Sequence, residues 1–202
     1  GTLTFSGDTY RRVVYDLAKS LIYHGYNKLL FVTHHGSNSK VIDDVLRKIR
    51  YETGCFVGWF KTPTERNYRF IADILEGTPE ETPGWHAGEL ETSTAWAYNP
   101  ESVAMELAKE DRTHAPKWMT KEFTKHDGSG FVTFRGDECM WVPMEHHEYS
   151  DTATIGNPLR ASKEKGEKIL KRGGELLAAL IEEIKKFDIK VPEEKRAFNN
   201  RA

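Results

Sequence analysis

Cysteine, charge of one sign and long apolar runs are all scarce in this sequence. Two cysteines, Cys55 and Cys139, are too few for a disulfide scaffold and make a reducing, cytoplasmic location the default expectation. The 29 basic and 31 acidic residues nearly cancel, and a net charge of −2 indicates neither a nucleic acid nor an anionic membrane as partner. No stretch approaches the roughly 20 apolar residues that a membrane span needs. A chain of 202 residues is long enough for one soluble domain with its own core.

The first sixty residues alternate between helix-like and strand-like patterns. Ser6 precedes an apolar series at helical spacing, which predicts a helix over residues 7–24, and KLLFVT at 28–33 is typical of a strand buried on both faces. A second helix is predicted after residue 39, and CFVGWF at 55–60 is predicted as the next strand. This alternation indicates an α/β fold with a mostly parallel sheet covered on both faces, whose functional groups lie beyond the carboxyl ends of the strands.

The remainder of the chain is less regular. Residues 61–85 are predicted to run over the surface, with a modest helix around 68–75, and a further helix is predicted over 86–98. Residues 112–160 are loop-rich, with strands predicted at 130–135 and 140–142, and a long helix follows Ser162. We interpret residues 1–190 as one domain and residues 191–202 as a charged tail.

Two adjacent histidines follow the first predicted strand, in the loop HHGSNS at residues 34–39. Imidazole is the commonest neutral metal ligand, and a loop at the end of a strand can point it into a crevice. Neighbouring residues on an extended segment point in opposite directions, so we expect at most one of these histidines to reach a site. The alternative is a surface loop that only caps the next helix, with Asn38 or Ser39 at the N-cap position.

A second cluster, HAGELETS at residues 86–93, places three ionisable groups at the start of a predicted helix. Glu89 would suit a metal ligand or a general base, and His86 a general acid. The alternative is a capped helix start whose acidic residues are favoured by the helix dipole. The small residues Ala87 and Gly88 favour a site, because they would let a ligand approach closely.

A third cluster, Glu145-His146-His147-Glu148 with Asp151 downstream, contains residue types that bind metals but fits no tetrahedral spacing, so we interpret it as a solvated loop. The sequence has no nucleophile elbow, no Walker loop and no dinucleotide-binding glycine motif after a strand. With these motifs absent, metal-dependent hydrolysis is the remaining chemistry that the histidine and glutamate clusters indicate.

Several stretches resemble the creatininase (creatinine amidohydrolase) family. The loop THHGSN at 33–38 resembles the family's N-G-H-G-G-N loop, HAGELETS resembles its H-A-G-x-x-E-T-S block, and residues 156–167 resemble its terminal helix. The opening helix and strand after Gly1-Thr2 resemble the family's F-P-G-T segment. The resemblance implies a three-layer α/β/α fold with a divalent-metal site, often binuclear, that activates water against a C–N bond or a related ring bond of a small molecule.

The resemblance also implies roles for individual residues. It assigns His35 and Glu89 to the metal (zinc, manganese or iron), His86 and Glu91 to catalysis, and His34 and Trp85 to the substrate pocket. The substrate is expected to be a cyclic amide, a formamide or a related ring compound. Relatives are commonly homo-oligomers of the hexamer type.

The sequence also departs from the family pattern. Thr33 and His34 stand where the family loop has Asn-Gly, and Ser37 stands where creatininase itself has a glutamate. The chain begins at Gly1, after the place where the family's N-terminal Glu-x-His segment would lie. We therefore expect an N-terminal fragment or partner chain to complete the metal site. The alternative is a non-catalytic or split subunit, or a binding module that uses the same pocket without turnover.

Overall fold

The computed structural model describes residues 3–62, 68–78 and 85–197. The chain divides into two compact units, one of residues 1–62 with 175–202 and the other of residues 63–174. Residues 63–67 and 79–84 of the predicted surface excursion, and 198–202 of the predicted tail, lie outside the described residues. Within the described ranges, no helix is both long and apolar enough to cross a membrane.

The first unit follows the predicted order of helix, strand, helix and strand. Its elements are α1 (Gly7–Tyr23), β1 (Lys28–Thr33), α2 (Gly36–Thr53) and β2 (Phe56–Lys61). The hydroxyl of Ser6 caps α1 by accepting a hydrogen bond from the Thr9 N–H at 3.2 Å. The strands β1 and β2 pair in parallel, as the alternation of elements predicted.

The prediction that the first strand is buried on both faces is wrong. Within β1 only Leu29 is buried, and Val32 is 47% exposed. The physical reason is that the parallel sheet has two strands among the described residues, so both β1 and β2 are edge strands.

The core of the first unit forms where α1 and α2 pack beside the sheet. Its fully buried members include Ala18, Ile22, Ile49 and Cys55. The beginning of the predicted tail also packs here, because Val191 joins this core. Arg196 then donates hydrogen bonds to the carbonyl oxygens of Val191 at 3.2 Å and Ile22 at 3.1 Å.

The second unit contains α3 (Glu89–Tyr98), β3 (Phe123–Thr124), β4 (Phe131–Phe134), β5 (Asp137–Trp141) and α4 (His146–Tyr149). The helix α5 (Lys163–Lys185) begins in this unit and ends in the first. Single 3₁₀ turns occur at 68–70, 100–102, 105–107 and 158–160. The helix predicted around 68–75 is therefore a 3₁₀ turn, and the helix predicted from residue 86 begins at Glu89.

The three strands of the second unit form an antiparallel sheet in the order β3-β4-β5. The strands β4 and β5 correspond to the two strands predicted in the loop-rich region, whereas β3 was not predicted. The two strands are joined through Arg135 and Gly136, which both have positive φ angles, 51° and 94°. Two consecutive positive φ values are the mark of a tight hairpin turn that matches the twist of the strands.

Candidate active site

A tight turn before α3 presents His86. The Gly88 N–H donates to the Trp85 carbonyl at 2.9 Å, and Ala87 adopts a left-handed φ of 49° between them. The Ile155 N–H fixes the same turn by donating to the His86 carbonyl at 2.7 Å. A non-glycine residue in the left-handed region is disfavoured by its Cβ, so the surrounding hydrogen bonds must hold Ala87 there. The turn places the His86 side chain outside the helix, with 56% of it exposed.

His86 faces the carboxylate of Glu91. The His86 Nδ1 lies 4.0 Å from the Glu91 Oε2, and the Ala87 N–H donates to the same oxygen at 3.1 Å. Both residues line a cavity of about 370 Å³, whose walls include Val103, Met105 and other small or apolar residues. A cavity of this size suits a small molecule. An imidazole beside a carboxylate at its rim can hold or transfer a proton at an atom of such a molecule.

Glu89 lies elsewhere, in the interior of the second unit, with 1% of its side chain exposed. Its Oε1 accepts hydrogen bonds from the Glu76 N–H at 2.9 Å and from the Lys165 Nζ at 2.6 Å. Its Oε2 accepts the Gly77 N–H at 2.8 Å. Both oxygens are therefore engaged by protein donors, and the assignment of Glu89 to the metal stays a prediction.

Lys165 joins Glu89 to two further groups. Its Nζ also contacts the Glu76 Oε1 at 2.7 Å and the Arg160 carbonyl at 2.6 Å. Burial alone would lower the pKa of Lys165, but the hydrogen bonds to Glu76 and Glu89 outweigh it and raise the pKa above its ordinary value. The hydrogen bond from Lys165 lowers the pKa of Glu76 in turn. This network ties Glu89 of α3 to Lys165 at the start of α5.

His34 and His35 follow β1 in the first unit, and both are exposed. His35 occupies the N-cap position of α2, but its side chain makes no cap hydrogen bond. The hydroxyl of Thr33 organises the loop by accepting hydrogen bonds from the His35 N–H at 3.3 Å and the Asn38 Nδ2 at 3.1 Å. The helix begins at Gly36, so the alternative prediction of a cap three or four residues further on is wrong. The metal role of His35 and the pocket role of His34 stay predictions.

Trp85 packs inside the second unit. An added Cβ on Gly128 would lie 2.6 Å from the Trp85 ring and 2.8 Å from Ile155, so the glycine is what leaves room for the indole. The lining of the cavity beside His86, as far as the described residues form it, does not include Trp85. Its place in the substrate pocket stays a prediction.

The cluster interpreted as a solvated loop contains a residue that lies at this site. His146 begins α4, and its ring centroid lies 4.9 Å from that of His86. A cluster of four polar residues gives little signal for this contact, because 60 positions separate the two histidines and only the tertiary fold brings them together. The sequence signal that could have indicated a helix here is the spacing of Glu145 and Glu148, which form a capping box at its start.

Three-ligand metal groups are absent from the described part of the chain. Within residues 3–62, 68–78 and 85–197, no three His, Cys, Asp or Glu side chains converge closely enough to hold a metal ion. The donors found in these ranges therefore do not form a complete divalent-metal site of the kind that the resemblance implies.

Comparison with known proteins agrees with the fold. A Bacteroides fragilis protein assigned as a creatinine amidohydrolase aligns with a TM-score of 0.66 at 25% identity, over 92% of this chain and 65% of that one. A solved creatininase aligns with a TM-score of 0.62 at 24% identity, over 91% of this chain and 66% of its own. Similar creatininase structures include a Zn–Zn type and a manganese form. The predicted α/β, creatininase-like fold is confirmed, with small sheets.

Comparison of sequences leads to the same family. A curated creatinine amidohydrolase of Pseudomonas putida is 28% identical over an alignment of 180 residues, and the match covers 84% of this chain and 60% of that protein. The chain thus spans about three fifths of the length of this curated relative. The model of the creatininase family, described as creatinine amidohydrolase, matches residues 1–181. Since that match covers most of the sequence, the chain belongs to the creatininase family.

Proposed function

We propose that this chain acts in a metal-dependent amidohydrolase, which hydrolyses a C–N bond of a small cyclic amide, formamide or related ring compound. The observation that carries the proposal is the pair formed by His86 and Glu91 at the rim of the 370 Å³ cavity. Membership of the creatininase family supports amide hydrolysis as the reaction. The names of two solved creatininases, a Zn–Zn type and a manganese form, support a divalent cation as the cofactor.

In this proposal the residues of the second unit bind the substrate and move a proton. The apolar walls of the cavity hold the body of a small molecule, and the exposed His86 imidazole donates a proton to the leaving nitrogen. Glu91 faces the His86 Nδ1 and orients the ring. A divalent metal, when bound, supplies an activated water and polarises the carbonyl. We propose His35 as one of its ligands and expect the other donors outside the group of described residues.

The test measures turnover and metal content of the full chain. With added Zn²⁺ or Mn²⁺, we expect hydrolysis of at least one member of a panel of cyclic amides and formamides. His86→Gln should lower kcat by about 100-fold or more, since proton transfer by a positioned side chain contributes at least that much. His35→Ala should lower the amount of bound metal, measured by elemental analysis after dialysis, because imidazole is the ligand removed.

Two exposed histidines provide matched controls. His24→Gln should leave kcat unchanged, because this residue caps the end of α1 and belongs to neither candidate cluster. His34→Ala should retain the metal that His35→Ala loses, since adjacent residues on an extended segment point apart. Equal metal content in both variants would remove His35 from the ligand set. Absence of turnover across the whole panel would overturn the enzymatic proposal.

A binding module or non-catalytic subunit is the second candidate function. The cavity favours it, because residues of the second unit alone build the apolar walls and the polar rim. Calorimetry with the same compounds separates the two candidates: binding that depends on Glu91 and is never followed by hydrolysis supports the module.

Two free thiols and several exposed apolar side chains bear on the cellular location and assembly of the protein. We propose a cytoplasmic homo-oligomer, and the two free thiols, buried Cys55 and exposed Cys139, fit a reducing compartment. Exposed apolar side chains such as Leu17, Tyr98 and Leu107 fit contacts with further copies. Mass measurement of the native assembly decides the number of subunits.

A further inference from the structure

We propose that His146 is a positioning residue, whose ring holds the His86 imidazole in the orientation that faces Glu91. The two histidine rings are in contact, with centroids 4.9 Å apart and planes inclined by 45°. The proposal rests on the role of His86 in proton transfer, and it adds to that role a residue 60 positions away in the chain.

The contacts within its own turn do not fix the orientation of the His86 ring. More than half of its side chain is exposed, and the Glu91 carboxylate that it faces lies 4.0 Å from its Nδ1, beyond the range of a direct hydrogen bond. An exposed imidazole with one distant polar contact is free to rotate about χ2, because that torsion is broad and soft. Among the described residues, Glu91 from α3 and His146 from α4 face this ring.

His146 lies on the short helix α4, which hydrogen bonds hold in place. Although α4 has four residues, its start is closed by a capping box, in which the Glu145 N–H donates to the Glu148 Oε2 at 2.7 Å. The Trp118 Nε1 donates to the other carboxylate oxygen of Glu148 at 2.9 Å. These bonds engage both carboxylate oxygens of Glu148 and tie down the start of the short helix, where His146 lies.

The ring of His146 also contacts a buried ring, that of Tyr149. Tyr149 is 2% exposed, and its ring centroid lies 5.5 Å from that of His146. The Tyr149 hydroxyl donates to the Gly128 carbonyl at 3.4 Å, and the Lys125 Nζ lies 4.6 Å above the ring. His146 therefore contacts both the buried Tyr149 ring and the exposed His86 ring. A ring that is itself packed on a buried side chain restricts the rotation of an exposed ring that contacts it.

The experiment observes the His86 ring directly in the full chain. Two-bond ¹H–¹⁵N spectra of protein labelled at the imidazole nitrogens report the separation between the Nδ1 and Nε2 shifts of each histidine, and loss of a signal in His86→Gln assigns His86. We expect His146→Ala to reduce this separation for His86, since the separation is large when one tautomer predominates, and a ring that no longer faces Glu91 loses the contact that favours one tautomer. His146→Phe should preserve the separation, because phenylalanine retains a flat ring against His86 and Tyr149.

His147→Ala is the matched control, because His147 lies on the same short helix and is exposed. It should leave the His86 signals unchanged. The proposal is overturned if His146→Ala behaves like this control, or if His146→Phe loses the separation as His146→Ala does.

If the enzyme proposal holds, the turnover rate of the His146 variants provides a second test. His146→Ala should then lower kcat by up to about 100-fold with little change in KM, since a misplaced group slows the chemical step more than it weakens binding. His146→Phe should recover most of the loss. Equal kcat in His146→Ala and the wild-type chain would contradict the proposal. If the wild-type chain hydrolyses nothing, the proposed function fails, whereas the spectra still decide the role of His146.

Discussion

Glu89 and Glu91 lie two positions apart in one helix, yet their side chains lie in different environments. Residues at i and i+2 of a helix point to different faces, so one carboxylate turns toward the interior and the other toward the cavity. Glu89 is 1% exposed and bound by Lys165 and two backbone N–H groups, whereas the Glu91 side chain is 36% exposed beside His86. The sequence motif contains both carboxylates and does not distinguish their roles.

We predict that Glu89→Gln destabilises the protein even in the absence of any metal. The amide has one oxygen in place of two acceptors, and Lys165 loses the buried one of its two carboxylate partners, keeping only Glu76. Breaking a buried ion pair of this kind should lower the free energy of unfolding by about 3 kcal/mol. Urea unfolding in the presence of a chelator measures the change.

Glu91→Gln is the control for that measurement, because its carboxylate is half exposed and accepts one backbone hydrogen bond from Ala87. Its free energy of unfolding should stay within about 1 kcal/mol of the wild-type value. A loss in Glu89→Gln that appears only when metal is present would instead support the metal role predicted from the sequence.

At the scale of elements, α3 and α5 approach each other most closely at Gly166. A Cβ built on Gly166 would lie 1.9 Å from the Ser93 carbonyl oxygen and 2.7 Å from the Ala97 Cβ. Ser93 is fully buried, and its hydroxyl donates to the Glu89 carbonyl and accepts the Ser162 N–H. The crossing therefore holds the beginning of α5 against α3, next to the Lys165 network.

We predict that Gly166→Ala and Gly174→Ala change stability in opposite directions. Both glycines lie within α5, where alanine is the better helix former by about 1 kcal/mol. At Gly174 no described atom lies within 4 Å of an added Cβ, so this gain should be realised. At Gly166 the backbone of α3 would have to move, which should cost about 1–3 kcal/mol more than the gain. Thermal unfolding compares the two variants, and a stabilised Gly166→Ala would contradict the close crossing.

At the scale of the whole molecule, two groups of the first unit make stability depend on alkaline pH. Burial raises the pKa of the Cys55 thiol from 9.0 to about 11. Burial, together with a hydrogen bond to Glu52, raises the pKa of Tyr15 from 10.0 to about 12. In both cases the folded protein favours the neutral form, so the contribution to stability is complete below the unfolded pKa and is lost as pH rises through the folded pKa.

We therefore predict that the free energy of unfolding falls between about pH 9 and pH 12. The Cys55 thiol should account for about 3 kcal/mol of this fall, since its pKa rises by roughly two units and each unit corresponds to about 1.4 kcal/mol. Urea unfolding at pH 8 and pH 11 measures it. Cys55→Ala should show a shallower pH dependence than Cys139→Ser, because Cys139 is exposed. Equal slopes in the two variants would show that Cys55 does not titrate with folding.

Sequence reasoning succeeded where the signal is local. Helical spacing after Ser6 and the short apolar runs determined α1, β1 and β2, because capping and periodicity act over a few residues. The loop and block motifs determined the family, whose model matches residues 1–181. The partial exposure of β1 was missed for the opposite reason: burial of a strand depends on how many strands surround it, which a run of apolar residues does not indicate.

The sequence by itself determined that this is an α/β member of the creatininase family, with His86 ahead of a helix and Glu91 in the first turn of that helix. Only the tertiary structure decided which glutamate faces the cavity, since Glu89 and Glu91 differ in what packs around them. It also decided that His146 meets His86. The physical reason is that contacts between distant residues depend on the packing of whole elements, whereas helix starts and strand runs depend on neighbours in the chain.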